Sequence, residues 1–160
     1  MKFLTVLCYM ALCITIHETG HVVVSTALGY RVKGVSLGIP LKPFTTIPIK
    51  IGEQDIHLIV SPYLIAGSTN LDMKRKPEKV LHWVAILLAG AFANTLVLVA
   101  LYLTQGPSKF VSVWKAFVHR NLPLTLWGWF IIMNIAYGIG ELIPFMGGDG
   151  TELLRVLLGR

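Results

Sequence analysis

The stretch CITIHETGHVVV, residues 13 to 24, sets His17, Glu18 and His21 inside an otherwise almost wholly apolar run near the N-terminus. The run continues on both sides, and its length predicts a membrane-spanning helix over about residues 3 to 28. On a helix, His17 and His21 lie one turn apart on one face, so both imidazoles can reach a single metal ion. Glu18 stands beside them. This is the H-E-x-x-H pattern, in which two histidines bind zinc and the glutamate acts as general base toward water. A carboxylate at mid-membrane depth costs roughly 2.5 to 3.5 kcal/mol and is seldom left without a partner, which a metal site supplies. Two other readings compete: polar contacts between helices, and haem ligation. Histidines one turn apart on one helix cannot take opposite axial positions of one haem, so a haem would need another histidine, such as His82.

Composition agrees with a membrane setting. Of the 160 residues, 54% are apolar and 14% charged, with a mean hydropathy of +0.69, which is not the balance of a soluble domain. Two further runs are long enough to cross a bilayer, about residues 81 to 103 and 124 to 145. The fold class expected is therefore an α-helical integral membrane protein with about three transmembrane helices. Between the first two helices, a Gly- and Pro-studded segment with short β-branched runs predicts a small membrane-associated β-region over about residues 30 to 70. Within it, residues 56 to 67 are too few to span and read as a re-entrant or sheet-edge element. The stretch KFVSVWKAFVHR places Phe110, Val113, Trp114 and Phe117 at helical spacing with basic residues opposite, an interfacial helix over about residues 108 to 120. A chain of this length fits one domain, residues 1 to 160, and leaves no room for a separate regulatory one.

The net charge of +6 does not indicate nucleic acid, because Lys and Arg flank apolar runs and do not interleave with aromatics. Ten fall between residues 31 and 80 or in the C-terminal tail, against Lys2, Lys109, Lys115 and Arg120 on the other side. That bias places the β-region and the C-terminus in the cytoplasm. Lys2, the first apolar run and the triplet Ser25, Thr26, Ala27 also resemble a signal peptide. Cleavage there would discard the three ionisable residues. Cys8 and Cys13 point in different directions on a helix, so no disulfide is expected.

Catalytic zinc needs a third protein ligand. The candidate lies in ELIPFMGGDGTELL, residues 141 to 154, where Pro144 and Gly147, Gly148 and Gly150 break the third helix and leave Asp149 in a turn able to point back. Asp149 with Glu152 also reads as a capping box for the following helix. Glu141 is the rival ligand, an ionisable residue in the last apolar turn. His57 and His119 read as loop or interface side chains, and His82 and Trp83 as interface anchors. Asn134, Gly128, Gly138 and Gly140 read as helix-packing devices.

Taken together and in this order, the motifs resemble those of the site-2 protease family of intramembrane zinc metalloproteases. HETGH matches HExxH. LAGAFANTLV, residues 88 to 97, looks like the family's AGPxAN segment at the start of the second core helix, with matches at Ala89, Gly90, Ala93 and Asn94. ELIPFMGGDG resembles NxxPxxxxDG at Pro144, Asp149 and Gly150. The resemblance implies zinc on His17, His21 and Asp149, Glu18 as catalytic base, and Asn94, Glu141 and Pro144 near the substrate or positioning it. It also implies a membrane-protein substrate with a transmembrane segment in the lipid bilayer; the charge bias above puts the active site toward the cytoplasmic side. Gating is then expected from a regulatory membrane protein or from substrate accessibility. The family's Asn and Pro are replaced by Glu141 and Ala91. A non-proteolytic zinc-binding membrane protein is the alternative, and it has no need of Glu18 as a base.

Overall fold

The computed structural model describes residues 2–39, 43–61, 66–72, 79–119, 126–144 and 148–159. Lys42, Lys74, Arg75, Lys76, Arg120 and Arg160 of the charge count, residues 62–65 of the expected re-entrant element, and Gly147 of the helix break lie outside the described residues. In chain order the elements are α1 (Lys2–Ala27), β1 (Val32–Leu37), β2 (Thr45–Ile51), β3 (Gln54–Val60), β4 (Gly67–Leu71), α2 (Val80–Gln105), α3 (Pro107–Val118), α4 (Leu126–Ile139) and α5 (Asp149–Leu157). A 3-10 turn, Gly140–Leu142, follows α4.

Helix α1 carries a 24-residue candidate span and α2 one of 26, with mean hydropathies of 1.4 and 2.4. Both are long enough for a hydrocarbon core of about 30 Å at about 1.5 Å per residue. Of the third expected span, residues 124, 125 and 145 lie outside the described residues, and the described part holds a shorter helix. Helix α4 has 14 residues, about 21 Å, and tightens into the 3-10 turn before Pro144, because a proline disfavours helix in the residue before it.

The segment between α1 and α2 forms a four-stranded sheet in the order β2-β3-β1-β4. β2 and β3 form a hairpin through Gly52, whose φ of +60° suits a tight loop. Pro48 is tolerated in β2 because that strand is an edge. β1 runs parallel to β3, with Gly34 opposite His57, and antiparallel to β4, with Val35 opposite Thr69. The expected edge over residues 56 to 67 is corrected by this order: β3 lies inside the sheet, and the edges are β2 and β4.

Two apolar clusters hold the helices and sheet together, and α1 contributes to both. Cys13 and Ile14 pack on Phe130 and Tyr137 of α4; further along, Val22 packs on Val32 of β1 and Ile56 of β3. The ionisable residues of α1 lie between these clusters. Their face meets α2 at small residues: a Cβ added at Gly20 would collide with the backbone carbonyl of Ala89. Close backbone approach through small side chains is how helices associate in lipid, where apolar burial gives no net drive. Cys8 and Cys13 are both free thiols.

A methyl at Gly20 has no space to enter, whereas one at Gly138 would find its nearest neighbours at 3.6 Å, an ordinary contact. Gly20→Ala is expected to destabilise the protein by about 1–3 kcal/mol through overpacking. Gly138→Ala should leave stability near wild type. Thermal midpoints in detergent check both.

Candidate metal centre

His17, Glu18 and His21 are 4%, 4% and 5% exposed, an environment in which ionisable groups require partners. The histidines find one in α5. His17 Nε2 and His21 Nε2 each lie 3.0 Å from the same Asp149 Oδ2. The three potential ligand atoms all fall within 4.8 Å of one another. Zinc–nitrogen bonds of about 2.0 Å in a tetrahedron hold ligand atoms about 3.3 Å apart, close to the 3.0 Å of the two His–Asp pairs. Burial by itself would raise the Asp149 carboxyl, but hydrogen bonds to His17 and His21 outweigh it and hold the group at about 2. It is therefore a carboxylate at neutral pH, as a metal ligand must be.

Helix α2 aims both imidazoles. His21 Nδ1–H donates to the Ile86 carbonyl at 2.7 Å, which leaves Nε2 for the metal, and His17 Nδ1 lies 3.3 Å from the Asn94 amide nitrogen. Such contacts to the second ring nitrogen accompany nearly all metal-binding histidines. Space for the rings comes from Gly90, where a Cβ would stand 2.5 Å from Nε2 of both. The donor chemistry, the spacing and the glycine cradle together fit zinc.

Beside the triad, Glu18 is held by the sheet. Thr69 Oγ1 of β4 donates to Glu18 Oε2 at 2.7 Å, and Oε1 lies against Gly67, where no Cβ would fit. Glu18, the histidines, Asp149, β4, Trp83 and Glu141 line one cavity of about 570 Å³. A buried carboxyl group, three potential metal ligands and a strand edge thus open onto the same space.

The structure brings His17, His21 and Asp149 together, with Glu18 adjoining. It places Glu141 apart from that ligand cluster, its carboxylate against the Gly148 backbone. Asn94 is fully buried in the middle of α2, behind His17, because α2 starts well before LAGAFANTLV. The expectation that this segment opens the second core helix is corrected accordingly. Pro144 does not line the cavity; its carbonyl accepts a 2.8 Å hydrogen bond from Thr151 Oγ1 and anchors the start of α5. The capping box is also not formed. Gly148, not Asp149, is the N-cap, without a side-chain cap bond, and the Asp149 carboxylate turns to the histidines. Gly150 lets this turn close, since a Cβ there would strike the Leu142 carbonyl. His82 accepts from or donates to Tyr30 Oη at 2.7 Å, and Trp83, expected only as an anchor, borders the cavity. Among the described residues, His57, His82 and His119 take no part in the ligand cluster.

Thr69 and Ile86 were not singled out by sequence. A carbonyl that orients an imidazole leaves no trace in residue identity, and one threonine in a strand is ordinary. The only available signal was the small-residue run in PYLIAGST, the kind of composition that permits close backbone approach.

Adding a methyl at Gly90 should force the two imidazoles apart. Gly90→Ala is expected to weaken zinc binding by about 10-fold or more, the scale of losses seen when support around a site is disturbed. Chelator competition on the purified protein measures this.

A family model described as Peptidase family M50 matches residues 5–160. No curated protein gives a significant match to the chain. With that match covering nearly its whole length, the chain belongs to Peptidase family M50, the site-2 protease family of membrane-embedded metallopeptidases.

Proposed function

We propose that this chain is an intramembrane zinc metalloprotease that hydrolyses peptide bonds in or near transmembrane segments of membrane-protein substrates. The observation that carries the reading is the convergence of two histidines and a carboxylate, from opposite ends of the chain, beside a buried glutamate in one cavity. In this reading α1, α2 and α4 with its 3-10 turn cross the bilayer as one domain. Helix α3 lies at the interface, with Val111, Trp114 and Phe117 exposed to it. The excess of Lys and Arg in the β-region and tail supports a cytoplasmic position for the site.

His17, His21 and Asp149 would hold the zinc, which when bound lowers the pKa of water to about 7 and polarises a carbonyl. Glu18 keeps one oxygen on Thr69 and takes the proton of the attacking water on the other, then delivers it to the leaving amine. Its orientation is fixed beforehand by Thr69 and Gly67, so little ordering remains for the reaction step. Trp83, Ile86 and Leu87 give the cavity an apolar wall, suited to a substrate that arrives from lipid.

A substrate helix has every backbone group satisfied internally and must unwind before it can be cut. The unwound segment regains hydrogen bonds by adding as a strand to a free edge. β1 and β3 are both flanked in the sheet, which leaves β2 and β4 as edges. The edge that meets the cavity is β4, so the substrate strand is assigned there. Neighbouring N–H groups in a strand point to opposite sides, so of Asn70→Pro and Leu71→Pro one removes only a free-edge donor. That variant should lose cleavage while keeping zinc; full cleavage in both would remove β4 from the reading.

Zinc per chain in detergent-purified protein tests the site without a substrate. His17→Ala and Asp149→Ala are expected to lose the metal, and Glu141→Gln to keep it. Glu18→Gln should keep zinc but lower cleavage of a membrane-protein substrate by about 10²–10⁴-fold. A non-proteolytic zinc protein would show no such dependence on Glu18.

A further inference from the structure

Helix α3 stands against α4 without closing on it. Among the described elements it packs on α2 and α4 alone, and none of its residues is buried. Its first turn is tethered to α2 by Phe110, whose ring meets that of Tyr102 edge-on with centroids 5.5 Å apart. Between α3 and α4 an open groove of about 300 Å³ remains, at the small end of ligand cavities. Ile131, Ile132 and Ile135 give its α4 wall, and Val113 and Trp114 belong to its α3 wall. The groove shares no lining residue with the cavity of the metal centre.

One charged side chain, Lys115, lines this otherwise apolar groove. From Lys79 to Gly140 the sequence holds no Asp or Glu, so neither helix that α3 touches can supply a carboxylate to it. Lys109, which is not in the lining, has the Gln105 side-chain oxygen at 2.7 Å. An apolar groove that faces hydrocarbon accepts the acyl chain of any lipid. A cation on it selects a lipid whose head group is negative, because the lysine stem lies along apolar surface while the ammonium stays at head-group depth. Trp114 marks the same depth, since indoles favour the membrane–water interface. A long chain and a phosphate therefore have to arrive on one molecule.

We propose that the groove between α3 and α4 binds an anionic phospholipid, with one acyl chain along Ile131, Ile132 and Ile135 and the phosphate on Lys115. The site rests on the membrane setting of the proposed function and goes beyond it, since neither zinc nor cleavage enters its chemistry. A free phosphate would leave the apolar walls uncovered, and a neutral lipid would leave Lys115 without a counter-ion.

The test uses the full chain in a neutral detergent and phosphatidylglycerol with brominated acyl chains, which quench an indole on contact. The signal of Trp114 is the difference between wild type and Trp114→Phe. That difference is expected to be quenched saturably, and to recover when unbrominated phosphatidylglycerol is added. Phosphatidylcholine and inorganic phosphate should not restore it. Lys115→Gln should weaken the binding by about 5-fold, Lys109→Gln should leave it unchanged, and Val113→Phe, which fills the groove, should abolish it. Lys115 is exposed, so its variant keeps the test sound even where Val113→Phe fails to fold. Equal recovery with phosphatidylcholine would mean bulk lipid only, and recovery with inorganic phosphate a soluble anion. Either result overturns the proposal, as does wild-type affinity in Lys115→Gln. Quenching that never saturates also overturns it and leaves the groove to a partner helix. Zinc per chain in the same samples reports separately on the protease reading: lipid binding without zinc removes that reading alone, and zinc without lipid binding removes this site alone.

Discussion

The close approach of α1 and α2 at Gly20, Ala89 and Gly90 is the constraint on which the rest of the structure depends. At Gly20 there is room for a hydrogen and no more before the Ala89 carbonyl, and at Gly90 the two imidazole Nε2 atoms occupy the place of a side chain. Because the backbones are this near, short contacts from α2 reach both rings: the Ile86 carbonyl lies one turn before Gly90 and Asn94 one turn after it. A wider separation would leave the nitrogens unsupported and buried, which in lipid is costly. The helix pairing and the aim of the histidines are therefore one feature.

The arrangement also explains how polar groups are kept in an apolar helix. α1 packs through Cys13 and Ile14 on one side of the site and through Val22 on the other. The three ionisable residues sit between these clusters and are each engaged from a different direction. α2 holds the two histidines from behind, β4 holds Glu18 from the side, and α5 faces the histidines with Asp149. The small sheet is thus part of the site. It is tied to α1 through Val32 and Ile56, and its β4 edge lies beside Glu18.

Much of this was legible in the sequence because the chemistry is local. His17, Glu18 and His21 are fixed relative to one another by the helical repeat alone, and the break at Pro144 to Gly150 announces a reversal that can return Asp149 to them. What could not be read depends on strand order and on backbone atoms. Alternation and β-branched content locate strands, but nothing in VKGVSL, QDIHLIV or GSTNL says which becomes an edge. Hence β4, the shortest and most polar of them, was passed over. The segment holding Asn94 was placed at a helix start by likeness of motif, whereas its position depends on where α2 begins. Glu141 could not be separated from Asp149 as a ligand by spacing; the contact with Gly148 separates them. The third span was read from composition, which counts residues after the helix has already tightened into a 3-10 turn.

Asp149 and His17 are 132 residues apart, so their meeting closes most of the chain into one loop. Helix α5 has nine residues, too few to be stable by itself in water; it packs on α2, and its first turn is held by further contacts. Gly150 lies on the Leu142 carbonyl, Thr151 bonds to Pro144, and the Asp149 carboxylate meets the histidines. The last of these also joins the three potential metal ligands, and an ion that binds only the folded arrangement stabilises it by mass action. Metal at this site would accordingly hold α5 against α1 as well as serve chemistry. In the proposed reading, losing Asp149 would remove a ligand and an anchor together, and the two effects must be separated by comparing metal-free with metal-loaded protein. Glu18 differs in this respect: its partner Thr69 belongs to a strand already tied to the sheet, so its carboxyl can change to an amide without releasing any element of the fold.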